Sequence, residues 1–527
     1  MKKHKVLVDL YCSNKLSKEE FLSQLSQAYI QQLFSPHFNE HEDTRPLTHG
    51  KSLSIGVAVG TLTFRANNNT PQGSILAVQK LCNDQIIHFD KISGIIAQQE
   101  ERSSHAAIVS RSMAKPLMSG LLSFELEENH LIINGQIFHE GDYISIDCFN
   151  NKIYAGNKAI SVPEVDQDTE MLMKILATFS NLKINGNADI FEQAKVAVKH
   201  GAAGIEPRSE HMFFSQENLR TFRALILSKD IDLNSNLAKQ IQEIQYKEFH
   251  SLFLTCSDKP LIIRLFDPPM HEFLPKTIEE IEYFADFLNI PIIELHHIIQ
   301  NLAETNPMMG NRGARLLITK PELIKIQASS IFQAAMAAER GGEETKLWIS
   351  IPMVIDVNEV KHIKKVIQQV YEEEVEARNK RIEFKIGVMI ETPRAALLAH
   401  EIAPEIDFIS FGTNDLTAQT FSFSRGDCYY KYLNYYLDKS ILPFDPFYEI
   451  DKSVHELISI AVERVRKINP GIHIGLCGEQ GSQEITIRLC HALGFNSISC
   501  NSSQIPSATY FAAKAALSIN FNNKEYI

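Results

Sequence analysis

Two carboxylates raise the first chemical question. Residues 385–415 open with KIGVMIETPRAAL and close with DFISFGTNDL, with helix-like sequence between. Each half is a short apolar run that stops at polar residues. Residues 385–390 stop at Glu391, Thr392 and Pro393, and residues 408–411 stop at Gly412, Thr413, Asn414 and Asp415. This is a strand–helix–strand pattern, and it puts Glu391 and Asp415 at the carboxyl ends of neighbouring strands. Two carboxylates so placed can hold a hard divalent cation such as Mg²⁺ and leave positions open for substrate oxygens. Taken singly, Glu391 also reads as a helix cap and Asp415 as a turn residue.

Cationic residues recur at comparable positions. Arg208 follows an apolar run in PRSEHMFF, Arg264 lies within LIIRLFDPPMHEFLP, and Arg312 and Arg315 lie in NPMMGNRGAR. Arginine binds carboxylate and phosphate through paired hydrogen bonds. A set of arginines facing two carboxylates, in a chain of net charge −12, points to a small, highly anionic substrate bound through Mg²⁺. Cys477 closes another apolar run, in IGLCGEQGS. A different stretch, ERSSHAAIVSRSMAKP, places two serines and His105 at the first turn of an expected helix. A helix start attracts phosphate, and a histidine there can carry a phosphoryl group. From these residues alone the favoured reading is Ser103 or Ser104 as an ordinary N-cap, with His105 on the surface.

Elements must position these groups, and the pattern divides the chain. At 527 residues it exceeds one domain. Residues 1–48 read as a helical lead-in, with Ser17 and Glu20 in capping-box spacing. Residues 49–158 read as a β-rich unit with strands near 74–78, 94–97, 131–133, 143–147 and 152–155, interrupted by the helix that starts near Ser104. The polar, acidic stretch 159–178 reads as a linker. From 179 to 527, eight apolar runs alternate with amphipathic helices, near 182–186, 203–206, 261–265, 347–352, 385–390, 407–412, 472–477 and 497–500. That alternation predicts an α/β fold, a (β/α)₈ barrel whose active site lies at the carboxyl ends of its strands. Val454, Leu457, Ile458, Ala461, Val462, Val465 and Ile468 form one helical stripe. The glutamate run 372–374 reads as a solvated helix face.

Composition excludes other classes. Hydrophobic residues make up 44%, and no basic tract supports nucleic-acid binding. No apolar run is long enough to span a membrane, and the N-terminus lacks the apolar core of a secretory signal. The eight cysteines are scattered without CxxC or zinc spacing, which suits a reducing cytoplasm.

The longest motifs, SEHMFF, RLFDPPMHEFLP, NPMMGNRGARL, KIGVMIETPRAAL, FISFGTNDLTAQTFSFSR and GLCGEQG, carry a resemblance. From about residue 7 onward the chain resembles the carboxyl-terminal part of the pyruvate, phosphate dikinase family. It is similar, more distantly, to phosphoenolpyruvate synthase and to Enzyme I of the sugar phosphotransferase system. SSHAAIVSRSMAKP looks like the family's phosphohistidine loop, in a small swivelling domain ahead of the barrel. The resemblance implies that His105 carries the phosphoryl group and that Arg208, Arg264 and Arg312 bind the phosphate and carboxylate of phosphoenolpyruvate (PEP). It implies Glu391 and Asp415 as Mg²⁺ ligands, with Gly412, Thr413 and Asn414 lining the substrate site. Cys477 would protonate the enol carbon as pyruvate forms. A dimer paired through the barrel is also implied.

Three departures qualify that picture. The chain starts at the segment that in the family follows a large ATP-binding domain, and it holds no glycine-rich phosphate loop. The expectation is that ATP is not bound in the family's manner and that a separate ATP-binding subunit or acceptor protein is needed. Too few residues separate Gly56 from His105 for the insert by which Enzyme I meets its acceptor. Second, two glycines and a threonine of the family's loop are replaced by Glu100, Glu101 and Ser103, with Arg102 between. A glutamate close to a phosphohistidine costs about 1 to 4 kcal/mol near a surface. Third, GIEPRSE is one residue shorter than the family's strand end before the arginine, which bears on the placing of Arg208. These features leave three readings: a PEP–pyruvate phosphotransferase working through His105, a catalytically impaired dikinase-derived protein that binds PEP or pyruvate or regulates a partner, and a barrel acting alone on PEP or a related keto acid.

Overall fold

Eight runs of buried apolar residues close into one cylinder. In the computed structural model the described residues are 3–38, 45–81, 85, 88–100, 107, 110, 113, 115–127, 130–213, 216–229, 231–268, 270–304, 306, 309–340 and 345–517. Two compact units are distinguished, one of residues 1–172 with 426–448 and the other of 173–425 with 449–527. The second holds a closed parallel barrel of β1 (Lys183–Asn187), β2 (Ile205–Glu206), β3 (Pro260–Arg264), β4 (Lys346–Ile351), β5 (Phe384–Ile390), β6 (Phe408–Gly412), β7 (His473–Cys477) and β8 (Ser497–Asn501). Each strand pairs with the next, and β8 pairs with β1. The eight expected strands all appear, in order and within a few residues of their expected bounds.

The barrel strands read as near-continuous apolar runs because both faces are covered, by side chains inside and helices outside. Ile349, Ile351, Val388, Ile390, Ile409, Phe411, Ile474 and Leu476 are all buried. The helix Lys452–Ile468 shows how the outer layer is fixed. Asp451 caps it by accepting from the Ser453 N–H, and Val454, Ile458, Ala461, Val462 and Val465 are buried. Ile468, at its end, is exposed. The helix Val357–Arg378 starts with a capping box, Asp356 with Glu359. On that helix Glu372 and Glu373 are exposed as expected, but Glu374 is not part of a solvated face. Its carboxylate accepts from Ser329 Oγ (2.5 Å), Gln333 Nε2 (2.9 Å) and Arg378 Nε (2.9 Å), so it ties two helices together.

The first unit opens with three helices, Lys3–Cys12, Lys18–Ser23 and Gln27–Gln32. The expected capping box is present: Ser17 Oγ accepts from the Glu20 N–H, and Glu20 Oε2 accepts from the Ser17 N–H. An eight-stranded mixed sheet follows, in the order 48–49, 152–155, 143–147, 57–63, 74–78, 92–97, 117–119, 51–54. Its middle strands 57–63, 74–78, 92–97 and 117–119 run parallel. Ser74–Val78 and Leu117–Ser119 are buried throughout, whereas in Val57–Thr63 buried residues alternate with half-buried ones over most of its length. The stretch 159–178 contains a two-residue strand, Ile160–Ser161, paired with His37–Phe38, and a helix, Gln167–Thr178.

Tyr371 links the barrel's outer layer to β5. Its hydroxyl donates to the Ile382 carbonyl (2.8 Å) and accepts from the Ile382 N–H (3.1 Å). Both residues are buried. Tyr371→Phe keeps the ring against Phe332 and Phe384 but removes the partner of two buried backbone groups. It is expected to lower stability by about 1–3 kcal/mol, read as a drop in urea midpoint at unchanged slope.

Candidate active site

The carboxyl ends of the strands carry a network of alternating charge. Arg264 is the last residue of β3, and its guanidinium donates to Glu210 Oε1, just past β2. Its other terminal nitrogen lies 3.7 Å from Asp267 Oδ2. Asp267 is completely buried and receives Arg312 as a two-pronged pair, Nε to Oδ1 at 2.8 Å and Nη2 to Oδ2 at 2.5 Å. The third Arg312 nitrogen, Nη1, donates to Asp415 Oδ1 at 3.3 Å. Asp267 thus aims Arg312 at Asp415. It sits in the RLFDPP motif, three residues after Arg264, and was not assigned a role from sequence. Arg315 turns away onto its own loop, donating to the Gly310 carbonyl at 3.0 Å.

Arg208 stands beside Arg264 despite the short strand end. The two residues form an isolated parallel bridge, the Arg264 N–H reaches the Pro207 carbonyl (3.4 Å), and Ser209 Oγ donates to the Arg264 carbonyl (2.8 Å). Asp189, after β1, accepts from the Arg208 backbone N–H (2.7 Å) and from its guanidinium (3.2 Å). His211 Nδ1 lies 2.7 Å from the same carboxylate. Burial works against the Asp189 charge, but the His211 hydrogen bond and the Arg208 and His211 charges outweigh it and bring the carboxyl down to about 2. The Arg208 side chain remains 47% exposed, leaving its guanidinium open to a ligand.

Glu391 immediately follows β5 and is 1% exposed. It is not the cap of the next helix; Thr392 is, through its hydroxyl to the Ala395 N–H. One Glu391 oxygen, Oε2, accepts from the Met353 N–H at 2.7 Å, and Met353 holds a left-handed backbone (φ 55°) to present it. The other oxygen presses on the β6 backbone. A methyl group at Gly412 would lie 2.3 Å from Oε1 and 2.5 Å from Cγ. Burial first, then the Asp415 and Asp267 charges, hold the Glu391 carboxyl well above the usual carboxylate range, against the pull of Arg264 and Arg312. Glu210, Asp267, Glu391 and Asp415 are four carboxyls around two guanidiniums, so the cluster lacks positive charge. A divalent cation between Glu391 and Asp415 suits that donor set. Among the described residues no group of three or more His, Cys, Asp or Glu side chains is arranged to hold a metal ion. A cation here would take two protein carboxylates and fill its shell from substrate and water, the habit of Mg²⁺.

Asp415 lies in the first turn of the helix Thr413–Phe421, which starts directly from β6. Thr413 is buried, and its hydroxyl donates to the Cys477 carbonyl at 3.3 Å. Asn414 Oδ1 accepts from the Glu479 N–H at 3.4 Å. These bonds tie β6 to β7, where Gly412 and Cys477 are register partners. Gly478 (φ 144°) lets the chain turn past Thr413, since a methyl there would lie 2.3 Å from its Oγ1. The Cys477 thiol is pushed up to about 12 by burial and by the nearby Glu206, against the weaker pull of Ser499, Arg264 and Arg208. It stays a neutral S–H at pH 7, a proton donor rather than a thiolate. Glu206, like Asp189 and Asp267, was not picked out from sequence; a carboxylate beside an arginine is a signal only once the strand end is known.

His105 and its neighbours Glu101, Arg102, Ser103 and Ser104 lie outside the described residues, as does the start of the expected helix. Glu100 is described and is buried. Its Oε1 accepts from the Leu81 N–H at 2.9 Å, and its own N–H donates to Ser119 Oγ at 3.1 Å. Its carboxylate is therefore engaged by the unit's own backbone.

Comparison with known proteins gives this geometry a family. Residues 70–151 match the family model "PEP-utilising enzyme, mobile domain", and residues 164–517 match "PEP-utilising enzyme, PEP-binding domain". The pyruvate, phosphate dikinase of Rickettsia bellii is 34% identical over 97% of this chain and 59% of its own length. That of Clostridium symbiosum is 34% identical over 98% of this chain and 60% of its own. This chain thus spans about 60% of the length of these relatives. A solved pyruvate kinase from Cryptosporidium parvum aligns over 66% of this chain and 71% of its own at 9% identity, with a TM-score of 0.32, too slight a likeness to argue from. Two family models in succession, over a barrel whose strand ends gather arginines and carboxylates, establish that the chain belongs to the PEP-utilising enzymes.

Proposed function

We propose that this chain interconverts PEP and pyruvate in the manner of a pyruvate, phosphate dikinase, with His105 as phosphoryl carrier. The observation that carries the reading is the buried lattice of Arg264, Arg312, Asp267, Glu391 and Asp415 beside a protonated Cys477. Arg208, Arg264 and Arg312 bind the phosphate and carboxylate of PEP. Glu391 and Asp415 hold Mg²⁺, and Gly412, Thr413 and Asn414 line the substrate site. When bound, Mg²⁺ neutralises charge on the phosphoryl and enolate oxygens. The phosphoryl group passes to His105, and the Cys477 thiol delivers its proton to the enolate carbon, giving pyruvate.

On this reading the small domain, 49–158, turns on the 159–178 stretch to carry phosphate between the barrel, 179–527, and a separate ATP-binding subunit or acceptor protein. The barrels pair as a homodimer in the cytoplasm. Among the described residues no helix is long and apolar enough to cross a membrane.

The second reading is a catalytically impaired binding or regulatory protein. Glu100 and Glu101 in the histidine loop favour it. The hydrogen bond from the Leu81 N–H weighs the other way, because it turns the Glu100 carboxylate to a structural use. Incubation with PEP and Mg²⁺, followed by phosphosite mapping and a pyruvate assay, separates the readings. The expected outcome is acid-labile phosphate on His105 with matching pyruvate, both lost in His105→Ala. Binding of PEP without either product would establish the second reading. Steady pyruvate release untouched by His105→Ala would assign the activity to the barrel alone.

The raised Glu391 carboxyl gives a pH signature. Holding a proton at neutral pH, it must release it to ligate a cation. Mg²⁺ affinity is expected to rise with pH across neutrality, by about tenfold per unit if one proton is displaced. Calorimetry in two buffers of different ionisation enthalpy measures that proton directly. Glu391→Gln is expected to weaken Mg²⁺ binding and flatten its pH dependence.

A further inference from the structure

One acidic group at the barrel mouth has no part in the reaction described above. Glu206 ends β2, and its Oε1 accepts from Asn185 Nδ2 at 2.9 Å. Asn185 on β1 is the register partner of Ser499 on β8. Leu476 on β7 pairs with Ile498, so Cys477 and Ser499 are the next residues along those two strands. Four adjacent strands thus set Glu206, Asn185, Ser499 and Cys477 around one arc of the barrel. Ser499 is fully buried, and its hydroxyl has no hydrogen-bond partner among the described residues. It lies close enough to influence both the Glu206 carboxyl and the Cys477 thiol.

We propose that Glu206 is a proton relay for Cys477, exchanging a proton with the thiol through the Ser499 hydroxyl as PEP and pyruvate interconvert. This rests on the reading of Cys477 given above. In the pyruvate-forming direction the S–H bond breaks and a C–H bond forms on the enolate. The thiolate then takes the Ser499 proton, Ser499 takes the proton of Glu206, and water reprotonates the carboxylate. The reverse direction runs the same transfers backwards.

Two features suit Glu206 to this. Burial pushes its carboxyl up to about 7, against the Asn185 hydrogen bond and the nearby Ser499 hydroxyl, so both protonation states are populated near neutrality. The Cys477 thiol by itself loses a proton slowly in surroundings that disfavour thiolate. The charged and titratable groups around the pair are Arg208 and Arg264, which favour thiolate, and Cys500, whose thiol Glu206 also pushes up. In this proposal Glu206 acts through Cys477, as a positioning residue.

The test has one arm independent of turnover and one that needs it. Iodoacetamide labelling of Cys477, followed by mass spectrometry, reads the coupling. Glu206→Gln keeps the Asn185 hydrogen bond but removes the charge, and is expected to speed alkylation several-fold near pH 9. Equal rates would overturn the proposal. Exchange of the pyruvate methyl protons in D₂O with Mg²⁺, followed by NMR, reads the relay. Glu206→Gln and Ser499→Ala are each expected to slow exchange by about a hundredfold, with pyruvate affinity held, and Glu206→Gln to remove an ionisation near neutrality from the pH profile. Glu206→Asp should recover part of the rate. Wild-type exchange that neither substitution slows would overturn the relay alone. Coupled labelling with no exchange even in the wild type would overturn both the relay and the PEP–pyruvate reading.

Discussion

Arg312 carries a permanent charge into a place almost closed to water, and Asp267 is what makes that tolerable. A lone buried guanidinium would be very costly, while a two-pronged pair with a fully buried carboxylate offsets much of the desolvation and fixes direction as well. With two nitrogens held by Asp267, the third has one orientation left, toward Asp415. Asp415 is thereby set opposite Glu391, and Arg264, shared between Glu210 and Asp267, completes the ring. The loop after β3, the loop that enters the helix Ala314–Thr319, and the ends of β5 and β6 are held in register by these charges as much as by backbone pairing.

The barrel was legible because its strands are buried on both sides, leaving apolar runs of a length that only strands between helices produce. Glu391 and Asp415 were legible for the same reason: a carboxylate where an apolar run ends is easy to see. Partners that depend on tertiary closure were not. Asp267 and Asp189 look like loop acids until β1, β2 and β3 lie side by side. Met353 gives no hint in its type that it adopts a left-handed backbone to feed an N–H to Glu391. Glu374 sits in a run of three acids, and only helix packing distinguishes it from Glu372 and Glu373.

The first unit teaches a related lesson. Strands such as Ser74–Val78 are evident from their composition, while Leu117–Ser119 is not, because three residues are too short a run to show a period even with Pro116 and Gly120 on either side. Glu100 shows why a substitution should be judged from its hydrogen bonds as well as its charge. An acid where related sequences carry a glycine suggests repulsion of a nearby phosphate, yet the Glu100 carboxylate accepts a backbone N–H from Leu81.

Gly412 looks, in the string FGTNDL, like a residue that serves a turn. Its role is that of a spacer, since the Glu391 carboxylate occupies the volume a side chain would need. A relative of this chain could keep both acids in sequence and still lose their arrangement by gaining one methyl group at this point. Sorting relatives by the presence of the acids alone would therefore miss a class of changes that the glycine reveals.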